Sequence, residues 1–411
     1  MESRGKVLII VENLPVPFDR RVWMEATALA QNGYQVSVIC PVGKRFELEY
    51  EVIEGVHIYR HPLPPEISST TGYLKEYIWA LRHEFRLARK IWKERGFDIV
   101  HVCNPPDLLF LVAGWFKVFH GVKVVFDQHD INPELYEVKF GKRGLFHKAL
   151  RLAERCSYAV ADVVIATNES YKEIAVTRGK QRPEKVFVVR SGPDLSRFQP
   201  VPPQQHFKRG KPYLVGYVGV MGEQEGIDLL LQAAKYLVLD GKRDDIRFML
   251  IGGGPALERM RRLCSEMGIA QNVEFTGRVP DDELLARLSS CDVCVNPDPK
   301  NTFNDKSTMN KVLEYMALAK PIVQFDLLEG RRSAEDASLY AEGNDANDLA
   351  RKIEWLLDNP ALREQMGRVG QDRMSRLLEW RHQVPNLLEA YAAVRGKPSL
   401  PVYEISKKEA I

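Results

Sequence analysis

The sequence predicts an α/β protein of two domains, each a doubly wound parallel sheet covered by helices. Three observations predict it. Short, nearly continuous apolar runs alternate with longer helical patterns, as buried parallel strands and their crossover helices do. A polar, Pro-rich stretch at residues 200–212 interrupts the alternation, which then restarts. The length, 411 residues, exceeds what one hydrophobic core usually supports.

In the first half, residues 7–11 read as a strand and 21–32 as a helix closed by Gly33. Residues 36–40 form a strand stopped by Pro41. Residues 99–103 form a strand, and 107–119 a helix ended near Gly121. Strands are expected at 122–126, 163–167 and 186–190, with a helix at 146–161. In the second half, a strand at 214–218 leads through a Gly-rich loop to a helix at 227–237. A strand at 248–251 precedes Gly252-Gly253-Gly254-Pro255, and further strands fall at 273–276, 293–296 and 322–325. Residues 364–394 read as one long helix, with Gly367 and Gly370 marking a bend. The expected division is a first domain at 1–200, a linker at 201–212, a second domain at 213–375, and a C-terminal helix at 376–411 returning to the first domain.

Hydrophobic content of 45% and charged content of 27% are ordinary for a globular protein. The longest apolar run, 108–116, is shorter than the roughly 20 residues a membrane span needs. Residues 1–5 lead at once into a strand, so no secretion signal is expected and the cytoplasm is the expected compartment. Six cysteines in a chain this long do not suggest a disulfide framework. Cys291 and Cys294 have the spacing of metal ligands but no second pair, so buried thiols are expected.

The net charge is +3, and residues 1–200 hold the excess, with 29 Lys and Arg against 24 Asp and Glu. Two stretches concentrate it. One, residues 75–95, carries Arg82, Arg86, Arg89, Lys90 and Lys93. The other, residues 139–155, carries Lys142, Arg143, Lys148 and Arg151. In the first, Tyr77, Leu81, Phe85, Ala88 and Trp92 recur at helical spacing. Such a basic amphipathic helix can rest on an anionic membrane, at the inner face of the bilayer, or bind an acidic acceptor. The alternative is a solvated helix packed on its own domain by that stripe. No nucleic-acid partner is expected.

Ligands of doubly wound sheets bind at the carboxyl ends of the strands, and the cleft between two facing sheets is the default site. The candidate loops are residues 12–21, 104–107, 127–130, 191–194, 219–226, 252–255, 277–280 and 298–311. In the last, Ser307, Lys311 and Glu314 are spaced i, i+4, i+7 and would share a helix face, with Met309, Val312, Leu313 and Met316 on the apolar side. A helix start there suits a phosphate, through the N–H groups of Ser307, Thr308, Met309 and Asn310, and Glu314 suits sugar hydroxyls. The alternative is a surface helix with a solvated Lys311–Glu314 pair.

Four segments carry a resemblance over nearly the whole chain. They are Tyr217-Val218-Gly219 with Gly226-Ile227-Asp228-Leu229-Leu230; Ile251-Gly252-Gly253-Gly254-Pro255; Val273-Glu274-Phe275-Thr276-Gly277; and residues 311–323, beginning Lys311-Val312-Leu313-Glu314-Tyr315-Met316-Ala317. In this order the chain resembles the retaining glycosyltransferases of family 4, which have the GT-B fold of two facing Rossmann-like domains around a central cleft. The resemblance implies sugar transfer from a UDP- or GDP-sugar, with the donor on the C-terminal domain and the acceptor on the N-terminal one. A bacterial surface polysaccharide or glycoconjugate role is expected, with a glycan or polyprenyl-linked acceptor. The expected donor set is Gly219, Val220, Gly222, Gly253, Arg278, Ser307 to Lys311, and Glu314.

Three departures accompany it. The family's paired Glu motif falls on Glu314, but its first Glu falls on Lys306. The family's Arg after the first glycine and Lys before the later one are Val220 and Glu225. Lys306 and Lys311, with Arg278 or Arg331, are expected to replace the missing cations. His129 matches the family's His against the donor sugar, and with Lys306 and Glu314 completes the expected catalytic set. The alternative for His129 is a histidine satisfied by Asp127 or Asp130. Asp19, Arg20 and Arg21 stand where family members have a glycine pair and suggest an anionic acceptor group. The alternative is Asp19 capping a helix with the arginines paired at the surface. No Asp-x-Asp motif lies in a suitable loop, so neither metal nor other cofactor is expected. Two other functions stay open: a nucleotide-sugar epimerase using Glu223 or Glu225, and a catalytically silent nucleotide- or glycan-binding protein.

Overall fold

The computed structural model describes residues 4–63 and 70–396. The chain divides into two units, Met1–Arg190 with Gln383–Ile411, and Ser191–His382.

Unit 1 runs β1 (Gly5–Ile10), α1 (Arg20–Gln31), β2 (Tyr34–Pro41), β3 (Tyr50–Ile53), β4 (Val56–His61), α2 (Thr70–Glu94), β5 (Ile99–Cys103), α3 (Phe110–His120), β6 (Lys123–Gln128), α4 (Asn132–Phe140), α5 (Leu145–Val160), β7 (Val163–Ala166), α6 (Glu169–Thr177) and β8 (Val186–Val188). Its eight-stranded sheet has the order β3-β4-β2-β1-β5-β6-β7-β8. Only β3 is antiparallel, closing a hairpin with β4. That hairpin was not expected: β3 is short and half-exposed, and lacks the apolar run of the buried strands.

Unit 2 runs β9 (Tyr213–Val218), α7 (Ile227–Lys235), β10 (Ile246–Ile251), α8 (Leu257–Glu266), β11 (Val273–Gly277), α9 (Asp281–Ser289), β12 (Val293–Asn296), α10 (Asn310–Ala317), β13 (Ile322–Phe325), α11 (Leu328–Ala334), β14 (Ser338–Ala341), α12 (Ala346–Asp358) and α13 (Pro360–Arg373). Its parallel order is β11-β10-β9-β12-β13-β14. Alternate residues of the strands feed separate cores. Val215, Phe248, Val293 and Val323 pack on one face. Leu214, Met249, Cys294 and Ile322 pack on the other. Both faces are covered, which explains the continuous apolar runs. All six cysteines are free thiols, Cys291 and Cys294 among the buried ones. No helix among the described residues is long and apolar enough to cross a membrane.

The long helix expected at 364–394 is broken. After α13 a π-helical turn spans Met374–Leu378, and α14 (Trp380–Val394) follows. Gly367 and Gly370 do not bend it; they let α13 approach its neighbours. A Cβ on Gly367 would lie 2.2 Å from the Ala319 carbonyl, and one on Gly370 3.1 Å from Ala337 Cβ. The Pro-rich stretch is not a free linker, because Ser289 and Ser290 hydroxyls accept from the amides of Val201 and Gln204. The division between units falls earlier, at Ser191, and unit 2 ends beside its own beginning: Trp380 N donates to Pro193 O at 3.3 Å. From Gln383 on, α14 belongs to unit 1, where Tyr391 sits 5.4 Å from the Tyr34 ring.

In each sheet the strand order reverses beside one central strand, β1 or β9. The loops after β1 and β5, and after β9 and β12, therefore flank a switch point, the place where such sheets bind ligands.

Candidate active site

In unit 2 the loop after β9 is built on close backbone approach. Gly219 N donates to Ile251 O and Met221 N to Gly253 O, each at 3.0 Å, clamping this loop to the one after β10. Gly252 has φ +131°, and a Cβ there would lie 1.9 Å from Gly219 O, so only glycine fits. Gly226 has φ +66°, and its Cβ would meet Pro297 O at 2.0 Å. Gly222 is buried in the loop, and Val220 is 61% exposed at its tip.

The segment 304–317 differs from the expected continuous helix. Asn304–Lys306 is a 3-10 turn, Met309 is extended, and α10 begins at Asn310. Ser307, Thr308 and Met309 are thus the approach to the helix, and Ser307 does not share a face with Lys311 and Glu314. Its hydroxyl donates instead to Phe303 O at 2.8 Å. Asn301 is the reason: its side chain accepts from the amides of Phe303 and Asn304, starting a turn before the Ser-Thr pair can cap a helix. Lys306 is half-buried on that turn, off α10.

Lys311 and Glu314 are one helical turn apart on α10. Lys311 Nζ lies 2.7 Å from Asp298 Oδ2, 3.3 Å from Glu225 Oε2, and 5.2 Å from the Tyr217 ring centroid. Burial opposes the ammonium, but Asp298, Tyr217 and Glu225 outweigh it and keep Lys311 charged. Burial pushes Asp298 up to about 7 against the pull of Lys311, with Glu225 adding like-charge repulsion. Two carboxylates thus share one cation. Tyr315 fixes α10 in place: its hydroxyl accepts from Val218 N at 2.9 Å and donates to Val295 O at 3.2 Å.

Of the other expected cations, Arg278 follows β11 and Arg331 lies on α11. Arg278 is exposed after β11. Arg331 pairs with Asp326 at 2.9 Å and covers the Tyr340 ring. Glu223 pairs with Arg259.

In unit 1, parallel register sets Cys103 opposite Asp127, and His101 two residues earlier faces the same way. Arg21 does not stand at the surface beside Arg20. It is buried, donating to both Asp127 oxygens at 3.0 and 2.7 Å and to Val189 O at 2.8 Å, with Glu25 at 3.1 Å. The helix start turns it inward: Asp19 caps α1 by accepting from Val22 N, so position 21 points at the sheet and Arg20 outward. Burial alone would raise Asp127; Arg21 and His129 reverse this and hold it well below the usual carboxylate range. Glu25 is pushed up to about 7 by burial.

His129 Nε2 lies 2.5 Å from Asp127 Oδ2, so Asp127, not Asp130, orients the ring. Burial opposes its charge, yet Asp127 raises the His129 pKa. Its amide donates to Asn104 Oδ1 at 2.7 Å, and Asn104 also donates to Asp107, tying the loops after β5 and β6 together. His101, Cys103 and Asp127 bring ligating atoms within 4.8 Å of one another. Arg21 already occupies both Asp127 oxygens, and His101 Nδ1 meets Tyr391 OH at 2.8 Å, so the donor set suits the ion-pair network better than a cation.

The sequence did not point to Glu25 or His101, and it placed Tyr217 and Asp298 in candidate segments without giving either a role. Asp298 left one signal: a second acid, with Glu225, in loops expected to be basic.

Comparison with known proteins identifies the family and the fold. Residues 19–197 match the family Glycosyltransferase Family 4, and residues 199–373 match Glycosyl transferases group 1. The chain is 29% identical over 305 residues, 69% of each chain, to a D-inositol 3-phosphate glycosyltransferase of Thermomonospora curvata. Its fold matches a sucrose-phosphate synthase of Thermosynechococcus elongatus with a TM-score of 0.78 at 19% identity, over 96% of this chain and 100% of that one. It also matches Anabaena HepE, solved with UDP-glucose, with a TM-score of 0.72 at 15% identity, over 95% and 100% of the two chains. The two family matches cover both units, and the chain belongs to the family 4, group 1 glycosyltransferases of GT-B fold.

Proposed function

We propose that this glycosyltransferase moves a hexosyl or related sugar from a UDP- or GDP-sugar to a glycan or polyprenyl-linked acceptor, with retained anomeric configuration. The observation that carries the reading is the clamped pair of glycine loops after β9 and β10, with Lys311 and Glu314 on the first turns of the neighbouring α10. The loops offer bare backbone to a diphosphate, Lys311 offers a cation, and Glu314 accepts from ribose hydroxyls. The complex of Anabaena HepE with UDP-glucose supports a uridine donor.

In the proposed step, the bond from the sugar's anomeric carbon to the diphosphate oxygen breaks. The acceptor oxygen bonds that carbon on the same face and passes its proton to the leaving phosphate. His129, oriented by Asp127, binds a sugar hydroxyl. Arg20, at the surface of the α1 start, meets an anionic acceptor group, while Asp19 and Arg21 hold the scaffold. The reading needs no metal or other cofactor. A lipid-linked acceptor would bring the chain to an anionic bilayer through its basic N-terminal unit.

A panel of UDP- and GDP-sugars, followed by mass spectrometry with a mixed acceptor pool, tests this. Glu314→Ala is expected to lower kcat/KM about a hundredfold or more, the loss of charge-assisted contacts of roughly 3 kcal/mol. Wild-type transfer by that variant would sink the donor assignment.

A further inference from the structure

We propose that the α4–α5 loop and the outward face of α5 form the surface on which unit 1 sits on an anionic lipid bilayer. This rests on the membrane contact proposed above and narrows it to one surface.

Residues 139–146, Lys-Phe-Gly-Lys-Arg-Gly-Leu-Phe, are all exposed. Phe140 is 58%, Leu145 84% and Phe146 52% accessible, which for large apolar side chains is costly unless something covers them. Tyr136 gathers the two phenyl rings, with centroids 4.8 and 5.0 Å from its own. Along α5 the pattern continues. Leu145, Lys148, Leu152 and Arg155 recur at i, i+3, i+7, i+10 on the outward side, and Arg151 flanks them. Leu152 is 63% exposed.

The unpaired charge on this side is positive. The acid of α5, Glu154, is buried on the inward face and paired with Arg178. Glu137 offsets Arg143 at 2.9 Å. Lys142, Lys148, Arg151 and Arg155 have no carboxylate within ion-pair distance among the described residues. Cations interleaved with exposed Leu and Phe on one helix face is the chemistry of an interfacial helix: the cations meet lipid phosphates and the apolar side chains enter the acyl boundary.

Other occupants fit less well. A second copy of this face would set cation against cation. A nucleic acid would use the cations but gains nothing from Leu145 and Leu152. The other basic stretch, on α2, packs Phe85 on Trp115 and Trp92 on Phe97, and its exposed Ile78 and Trp79 precede Arg82, Arg86 and Arg89 instead of interleaving with them.

Vesicle flotation of the full chain tests the proposal, with phosphatidylcholine alone and with added phosphatidylglycerol. The wild type is expected to float only with the anionic vesicles. A Phe140→Ser, Leu145→Ser, Phe146→Ser variant and a Lys142→Glu, Lys148→Glu, Arg151→Glu variant are each expected to lose at least about tenfold in partitioning. Both should keep the wild-type melting temperature and UDP affinity, since the changed residues are exposed. An Arg82→Glu, Arg86→Glu variant is expected to float like the wild type. Three results would overturn the surface: unchanged flotation of the apolar variant, unchanged flotation of the charge variant, or binding to single-stranded RNA at least as tight as to the vesicles. Failure of the wild type to float would overturn the membrane contact itself, and the UDP measurement would show whether the donor reading survives it.

Discussion

Lys311 meets two carboxylates before it meets any ligand. Asp298 is almost wholly buried, while Glu225 is a fifth exposed on its side chain. A phosphate arriving at this ammonium competes with Glu225, the more exposed partner. Glu225→Gln is therefore expected to tighten UDP or GDP binding by roughly threefold to tenfold, about 1 kcal/mol; titration calorimetry showing equal or weaker binding would remove Glu225 from the site. Arg21 holds a different kind of charge. It pairs with both Asp127 and Glu25 inside unit 1. Arg21→Met is expected to cost about 3–5 kcal/mol in denaturant unfolding, because two buried carboxylates lose their cation. Arg20→Ala should stay within about 0.5 kcal/mol of wild type. The sequence made Lys311 legible, because a cation three residues before Glu314 stands out on a helix. It did not reveal Glu225 as its partner, 86 residues away on another loop, nor that Arg21 turns inward while Arg20 does not. Those facts depend on packing between loops that no local pattern encodes.

At the scale of elements, α2 carries a titration that the helix itself must absorb. Glu84 is fully buried, and neither carboxylate oxygen has a hydrogen-bond partner among the described residues. Burial, with Glu12 nearby, raises its pKa well above the ordinary value. The folded chain therefore holds this proton where the unfolded chain has released it. The stabilisation is complete below the ordinary carboxylate range and is lost as pH rises towards the folded value. Glu84→Gln is expected to raise the melting temperature near pH 7 and to flatten its dependence on pH; an unchanged pH profile would show that Glu84 is solvated. The alternation of strands and helices was readable because parallel strands buried on both faces are apolar throughout. The start of α10 was not. Ser307 and Thr308 look like a cap, but Asn301 turns the chain first, and a competition between two local turns is decided by where the strand end leaves the backbone.

At the scale of the molecule, unit 2 is a continuous stretch, Ser191–His382, while unit 1 is assembled from both ends of the chain. Residues 191–382 alone are expected to unfold cooperatively and to bind UDP or GDP. Residues 1–190 alone are expected to bind a hydrophobic dye and melt broadly, because Tyr34 and His101 lose Tyr391. A broad melt of the 191–382 fragment would show that it depends on unit 1. The sequence marked two domains through its Pro-rich interruption, but placed the boundary too late, since proline content reports a lack of regular structure and not which sheet the segment adheres to.

The hydrogen bond between Trp380 N and Pro193 O has a consequence for how such chains diversify. It brings the two ends of unit 2 together at one point, as a stem joins the ends of a loop. In genetic terms that unit is a cassette. A recombination event replacing everything between those two residues would exchange unit 2 in one step, and leave both segments of unit 1 in register.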